Sequence, residues 1–313
     1  MGGRTPHTTR KDGGRIMSFY HGQHRERSYF EGWYFKQQAG GRTLAVIPGI
    51  SMAADGSKTA FIQVITESAS HFVAYPFSAF EARRSPLGVR IGQSVFTAEG
   101  LFLDIREPDL TLRGKLHYGE LTPLESDIMG PFRSMPLMEC RHRVISMRHT
   151  MQGRLNYQGE ILVFDGGVGY MEMDWGTSFP RSYLWTQCSA PEEDCSVMVS
   201  IADVPFLGRS FRGCIAAVRY QGREIRLATY HGVKIRRYSG NGLILQQGKH
   251  CLKVEAEPDK AQDLKAPSGG HMSRVIRESA ACPARYRLYE DYRLLFDLRA
   301  QDASFEAVDY DDE

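Results

Sequence analysis

Along most of the chain, apolar and polar residues alternate in short runs that Gly or Pro interrupts every ten positions or so. Successive side chains of a β-strand point to opposite faces, so runs of this kind predict strands with a buried face. The clearest fall at 43–47, 60–66, 101–105, 110–116, 159–164, 196–201, 214–220, 226–230, 243–246, 251–255 and 292–298. No long stretch has the 3.6-residue period of an amphipathic helix. Many short strands separated by turn residues predict an all-β sandwich or barrel. The pattern also echoes itself. Gln37, which follows Trp33-Tyr34-Phe35-Lys36, reappears 150 residues on as Gln187 after Tyr183-Leu184-Trp185-Thr186. Glu107-Pro108-Asp109 reappears at the same offset as Glu257-Pro258-Asp259. Two copies of one β-unit are therefore expected, with a flexible N-terminal tail over 1–28, a first β-domain over 29–155 and a second over 156–313. The Gly166-Gly167-Val168-Gly169 cluster reads as a turn into the second copy, since no helix pattern follows to make it a dinucleotide loop.

Within 169–187 the alternation carries two carboxylates, two tryptophans and two tyrosines. On a strand, Tyr170, Glu172 and Asp174 share one face, while Met171, Met173 and Trp175 share the other. Two carboxylates this close favour one ionised and one protonated partner, which supplies a base and an acid together. The bland alternative is a solvated pair at a rim, bonded to Arg181. In Tyr29-Phe30-Glu31-Gly32-Trp33-Tyr34-Phe35-Lys36, Glu31 shares a face with Trp33 and Phe35. A carboxylate among rings is costly to bury alone, and Arg274 is a candidate partner. His142 shares its face with the small, mostly apolar set Cys140, Val144 and Ser146, and reads either as a general base or as a core histidine. His142 and His149 lie seven apart and so face opposite sides of a regular strand. With no third ligand near them, no metal site is expected.

Charge and composition narrow the function classes. The 39 Lys and Arg nearly balance 37 Asp and Glu, so there is no electrostatic footprint for nucleic acid. No apolar run approaches the length of a membrane span, and the chain is expected to have no transmembrane segment. Six scattered cysteines without a Cys-x-x-Cys pair fit a reducing cytoplasm. Neither a Gly-x-Ser-x-Gly elbow nor a Walker loop occurs, and no cofactor is expected. Twelve methionines, several of them at 129–151 and at 171 and 173, suit a pocket for a flexible lipid chain or plain core filling.

The segment at 29–36, Ile128-Met129-Gly130-Pro131-Phe132, Pro136-Leu137-Met138-Glu139-Cys140-Arg141-His142, Ser146-Met147-Arg148-His149 and Asp174-Trp175-Gly176-Thr177-Ser178-Phe179-Pro180 together resemble the tocopherol cyclase-like family. The resemblance runs from about 29 to 307. It implies two tandem lipocalin-like antiparallel β-barrels, a fold similar to that of the carotenoid hydratases, and an apolar, prenylated or lipid-like ligand. In those hydratases a Tyr-x-acid-x-x-Trp-Gly pattern puts an acidic residue at the place of Glu172. Gly32 with Trp33 is also similar to the closed end of a lipocalin barrel, where the tryptophan only packs. The resulting expectation is an isoprenoid or prenylquinol cyclase, an isomerase-class intramolecular lyase, or a hydratase. Glu172 is its acid, Asp174 or His142 its proton acceptor, and Glu31 a further catalytic candidate. Trp33, Trp175, Trp185, Tyr170, Tyr183, Met171 and Met173 are the expected substrate contacts. The rival reading is a lipid carrier without chemistry.

Overall fold

The structure, a computed structural model, describes residues 11–12, 15–16 and 18–308 except 137, 207 and 208. A ribbon of β1 (Lys11–Asp12) and β2 (Arg15–Ile16) precedes two large antiparallel sheets. The first begins with the meander β3 (Tyr29–Ala39), β4 (Arg42–Met52), β5 (Lys58–Thr66) and β6 (Ser70–Pro76). A 3-10 turn at Phe77–Ala79 leads to β7 (Phe80–Arg83), β8 (Gly88–Ile91), β9 (Ser94–Thr97), β10 (Gly100–Glu107), β11 (Leu110–Tyr118) and the long β12 (Cys140–Tyr157). After β13 (Glu160–Val163), β14 (Gly167–Gly176) inserts between β3 and β12. The order is β6-β5-β4-β3-β14-β12-β11-β10-β9-β8-β7, with β13 on β12.

The second sheet repeats this plan. Its opening meander is β15 (Tyr183–Ala190), β16 (Cys195–Phe206), β17 (Arg209–Tyr220) and β18 (Arg223–Ala228). A 3-10 turn at Thr229–His231 leads to β19 (Lys234–Ser239), β20 (Gly242–Gln247), β21 (His250–Ala256), β22 (Gln262–Ser268), β23 (His271–Glu290) and β24 (Arg293–Val308). The order is β18-β17-β16-β15-β24-β23-β21-β20-β19, with β22 on β23. Gln37 and Gln187 occupy corresponding first strands, β3 and β15. The Glu-Pro-Asp echoes do not correspond: one joins β10 to β11, the other follows β21.

In both sheets the edge strands are consecutive in sequence and joined by the 3-10 turn, and among the described residues no ladder pairs β6 with β7 or β18 with β19. The expected barrels are thus all-β, antiparallel and curled, but open. The chain changes sheets between Gly176 and Tyr183, not at the expected 155/156 boundary. The reason is non-local pairing: β14 takes Gly167–Gly176 back between β12 and β3 of the first sheet. The 18–28 stretch is not a free tail either. Phe19 N–H donates to Arg84 O at 2.7 Å, and Trp33 Nε1 donates to Phe19 O at 3.1 Å. Residues 1–10 of that expected tail lie outside the described residues.

Each sheet encloses its own apolar core. Trp33, Phe35, Phe96, Phe164, Met171 and Met173 fill the first, and Leu184, Val197, Leu245, Tyr286 and Phe305 fill the second. A third cluster, including Tyr34, Met147, Tyr170, Trp185, Met198 and Ile276, lies where the sheets meet. The central strands β3, β14 and β15 are therefore buried on both faces along most of their length, and polar residues such as Glu31, Lys36, Glu172 and Gln187 are buried with them. Among the described residues no helix is long and apolar enough to cross a membrane.

Candidate active site between the two sheets

A cavity of about 170 Å³ opens between the sheets, with aromatic and thioether walls that include Phe30, Phe61, Met129, Met138 and Phe179. It does not lie inside either curled sheet, because large side chains already occupy those interiors. The strand period decides which residues reach it. On β3, Phe30, Gly32 and Tyr34 line the cavity, while Glu31, Trp33 and Phe35 point into the first core. On β14, Glu172 and Asp174 line it, and Tyr170 beside them bonds to Glu172. Met171, Met173 and Trp175 turn the other way.

The structure places Glu172, Asp174, His142, Tyr183 and Trp185 along one cavity, and Tyr170 joins them through its bond to Glu172. Trp33, Trp175, Met171 and Met173 are corrected: alternation carries them to the opposite face, and they do not contact the cavity. Trp175 stacks on His21 with ring centroids 4.1 Å apart. Glu31 is also corrected. Its carboxylate accepts from the backbone N–H groups of His21 and Gly22, from Tyr29 Oη at 2.7 Å and from His21 Nδ1 at 3.1 Å. It latches the 18–28 stretch onto the sheet. Arg274 is not its partner, since that guanidinium donates to Pro180 O and Arg181 O. Glu31→Gln is expected to lower unfolding stability by roughly 2–4 kcal/mol, because an amide nitrogen would face buried donors. Activity per folded molecule should stay within twofold. A denaturant melt beside an active-fraction assay checks both.

Glu172 is 5% exposed. Its Oε2 accepts from Tyr170 Oη and, at 3.3 Å, from Trp185 Nε1. No described donor reaches Oε1, and the carboxyl lines the cavity. Burial is the main force on its acidity. Desolvation raises the pKa to about 8, with the charge on His142 pulling it down and that on Asp174 pushing it up. His142 Nδ1 donates to Asp174 Oδ1 at 2.9 Å. Its Nε2 lies 3.4 Å from Glu172 Oε2, too poorly aligned to form a hydrogen bond. For His142, burial opposes the charged form, but the carboxylates of Glu172 and Asp174 outweigh it and hold the pKa at about 9. His149 lies elsewhere, against Tyr118, and burial lowers its pKa to about 4. The ligand atoms of His142, Glu172 and Asp174 lie within 4.8 Å of one another, a grouping that could hold a metal ion. The His142/His149 spacing gave no view of this triad, because its members meet only by pairing of β12 with β14.

Among the cavity residues that the sequence reading did not assign to the site are Tyr34, Cys140, Glu278 and Glu306. Tyr34, on β3, donates to Glu278 Oε1 at 2.6 Å, and Tyr183 Oη donates to Glu306. Glu278 lies on β23 and Glu306 on β24, and both are buried. Cys140, on β12, sits 3.8 Å from Asp174 Oδ1, and burial pushes its thiol well above the usual range. The available signal was a lone glutamate on the apolar stretch Ala303-Ser304-Phe305-Glu306-Ala307, on the same face as Ser304.

The profile of the family described as tocopherol cyclase-like matches residues 108–306. The chain is 23% identical over 186 residues, 56% of its length, to a chloroplastic tocopherol cyclase of Zea mays, and the match spans 38% of that protein. The chain therefore spans well under half the length of such curated relatives. Among solved structures, kievitone hydratase from Nectria haematococca superposes with a TM-score of 0.53 at 11% identity, covering 90% of this chain and 89% of that one. A protein assigned as AttH from Nitrosomonas europaea gives 0.52 at 13% identity, covering 90% and 92%. At such identities these two bear on the fold alone.

Proposed function

The chain belongs to the tocopherol cyclase-like family, and from that premise we propose that it is a cyclase or hydratase acting on a prenylated, hydrophobic substrate by proton-initiated addition to an alkene. One observation carries the reading: a buried carboxyl, Glu172, lines an apolar cavity, and its burial favours the protonated form. A lipid carrier has no need of such a group. Glu172 protonates a trisubstituted double bond, and the tertiary cation lies against Trp185 and Tyr34, whose rings meet edge to face at 5.4 Å. A desolvated ring stabilises such a cation by roughly 1–2 kcal/mol. A phenol or water oxygen then closes the C–O bond. His142, held by Asp174, stands behind Glu172 and reloads it through Nε2. That one fold neighbour is a hydratase is consistent with water as nucleophile; ring closure is the variant in which the nucleophile belongs to the substrate.

We assign the reaction to protons: Asp174 Oδ1 is engaged with His142, and Glu172 Oε2 with Tyr170 and Trp185, which leaves His142 Nε2 and Glu172 Oε1 open among the described donors to a metal. Purified protein is accordingly expected to contain no stoichiometric transition metal and to keep its melting temperature in chelator. Elemental analysis finding one metal per chain would move the chemistry to His142, Glu172 and Asp174 as ligands. A reducing cytoplasm is proposed as the compartment of this chain on the scattered spacing of the six cysteines. The experiment that tests the central reading is turnover by Glu172→Gln, argued in the Discussion.

A further inference from the structure

Acid-initiated addition also needs an acceptor for the proton that the attacking oxygen gives up, and the cavity holds a second pair of carboxyl groups. Glu278 and Glu306 stand directly opposite each other in the pairing of β23 with β24. Like charges at such a position repel, so the pair carries at most one charge comfortably. Surroundings decide where it rests. Tyr34 Oη donates to Glu278 Oε1, while no described donor reaches Oε2. Lys36 is fully buried, its Nζ donating to Gln187 Oε1 at 3.2 Å and Asp302 O at 2.9 Å. Its charge favours an ionised Glu278. Burial raises Glu278 to about 7 against the pull of Tyr34 and Lys36. Burial, and then the charge on Glu278, raise Glu306 well above the usual carboxylate range.

We propose that Glu278 is a catalytic residue, the acceptor that binds the nucleophilic hydroxyl of a prenylated phenol through Oε2 and takes its proton as the C–O bond forms. This rests on the reading of Glu172 as acid. The step balances without a redox partner. The Glu172 O–H bond breaks and a C–H bond forms as the π bond opens. The phenol oxygen bonds to the cationic carbon, and its proton passes to Glu278. Glu172 ends as carboxylate and Glu278 as acid, and the two are restored through solvent and His142 when product leaves. Neutral Glu306, bonded by Tyr183, keeps the charge localised on Glu278.

The test is binding of 2-geranylphenol against its methyl ether to the full chain at pH 7.5, which needs no turnover. Wild type should prefer the free phenol by roughly ten- to a hundredfold, the effect of one charge-assisted hydrogen bond. Glu278→Gln should shrink that preference to about twofold, whereas Glu172→Gln should retain it. In wild type alone the preference should fade as pH drops through about 7, where Glu278, faced by Tyr34, Lys36, Glu306 and Glu172, gains its proton. This second measurement decides the matter if Glu278→Gln does not fold. A wild type indifferent to the ether, or a Glu278→Gln protein that still discriminates, overturns the proposal. Full turnover by Glu172→Gln would instead remove the acid reading, leaving the ether comparison to decide Glu278 separately.

Discussion

Replacing Glu172 by Gln is expected to cut turnover of a prenylated phenol or a linear isoprenoid by roughly 10²–10⁴-fold, the range general acid catalysis contributes. Binding should change only a few-fold. The amide is nearly isosteric and can still accept from Tyr170 and Trp185 at its oxygen, so the pocket keeps its shape. What disappears is the carboxyl proton at the cavity wall. Wild-type activity should fall as pH rises through about 8, where Glu172 ionises, and the steady-state rate of the variant should lose that limb. A Glu172→Gln enzyme with full turnover would place the acid elsewhere. If wild type and variants all bind an isoprenoid tightly and convert none, the chain is a carrier.

Stability should decline from about pH 6.5 to about pH 9; below that window His149, lowered to about 4 in the folded state, acts in the opposite direction. Glu172, Glu278 and Glu306 all have pKa values raised in the folded state, the first two to about 8 and about 7. A group raised on folding contributes its stability fully below its unfolded value, near 4.5, and loses it as pH climbs through the folded value. His142, raised from 6.5 to about 9, acts in the same direction over a higher window. Several coupled groups together should cost several kcal/mol, which in a chain of this size lowers Tm by roughly 10 °C or more. Thermal melts across that range check it. The Glu172→Gln protein should show a flatter curve above pH 7, and a wild-type Tm that holds or rises toward pH 9 would contradict the burial account of these carboxyls.

The local chemistry of the site was legible because a strand period is local. That Tyr170, Glu172 and Asp174 share a face follows from position alone. Which face meets the ligand does not: β3 and β14 have two buried sides, and the same alternation that grouped Glu31 with Trp33, and Met173 with Trp175, says nothing about the far side being packed core. Glu278 and Glu306 stayed hidden for another reason. They lie on separate strands whose register passes through bulges before Ala284, and no sequence spacing reports such pairing. The repeat was half visible. Gln37 and Gln187 occupy matching strands, whereas the Glu-Pro-Asp turns coincide only in spelling. The sheet boundary was missed because β14 returns to sequence neighbours of β3 more than a hundred residues back.

The double-sided strands also separate two kinds of inheritance. Along β3, odd positions such as Trp33 and Phe35 answer to the core of one half, while even positions such as Phe30, Gly32 and Tyr34 face the space between halves. A substitution at an even position reshapes the cavity wall and leaves the core of the first sheet untouched. Change confined to every second residue of such a strand can therefore retune the cavity while the scaffold beneath it stays as it was.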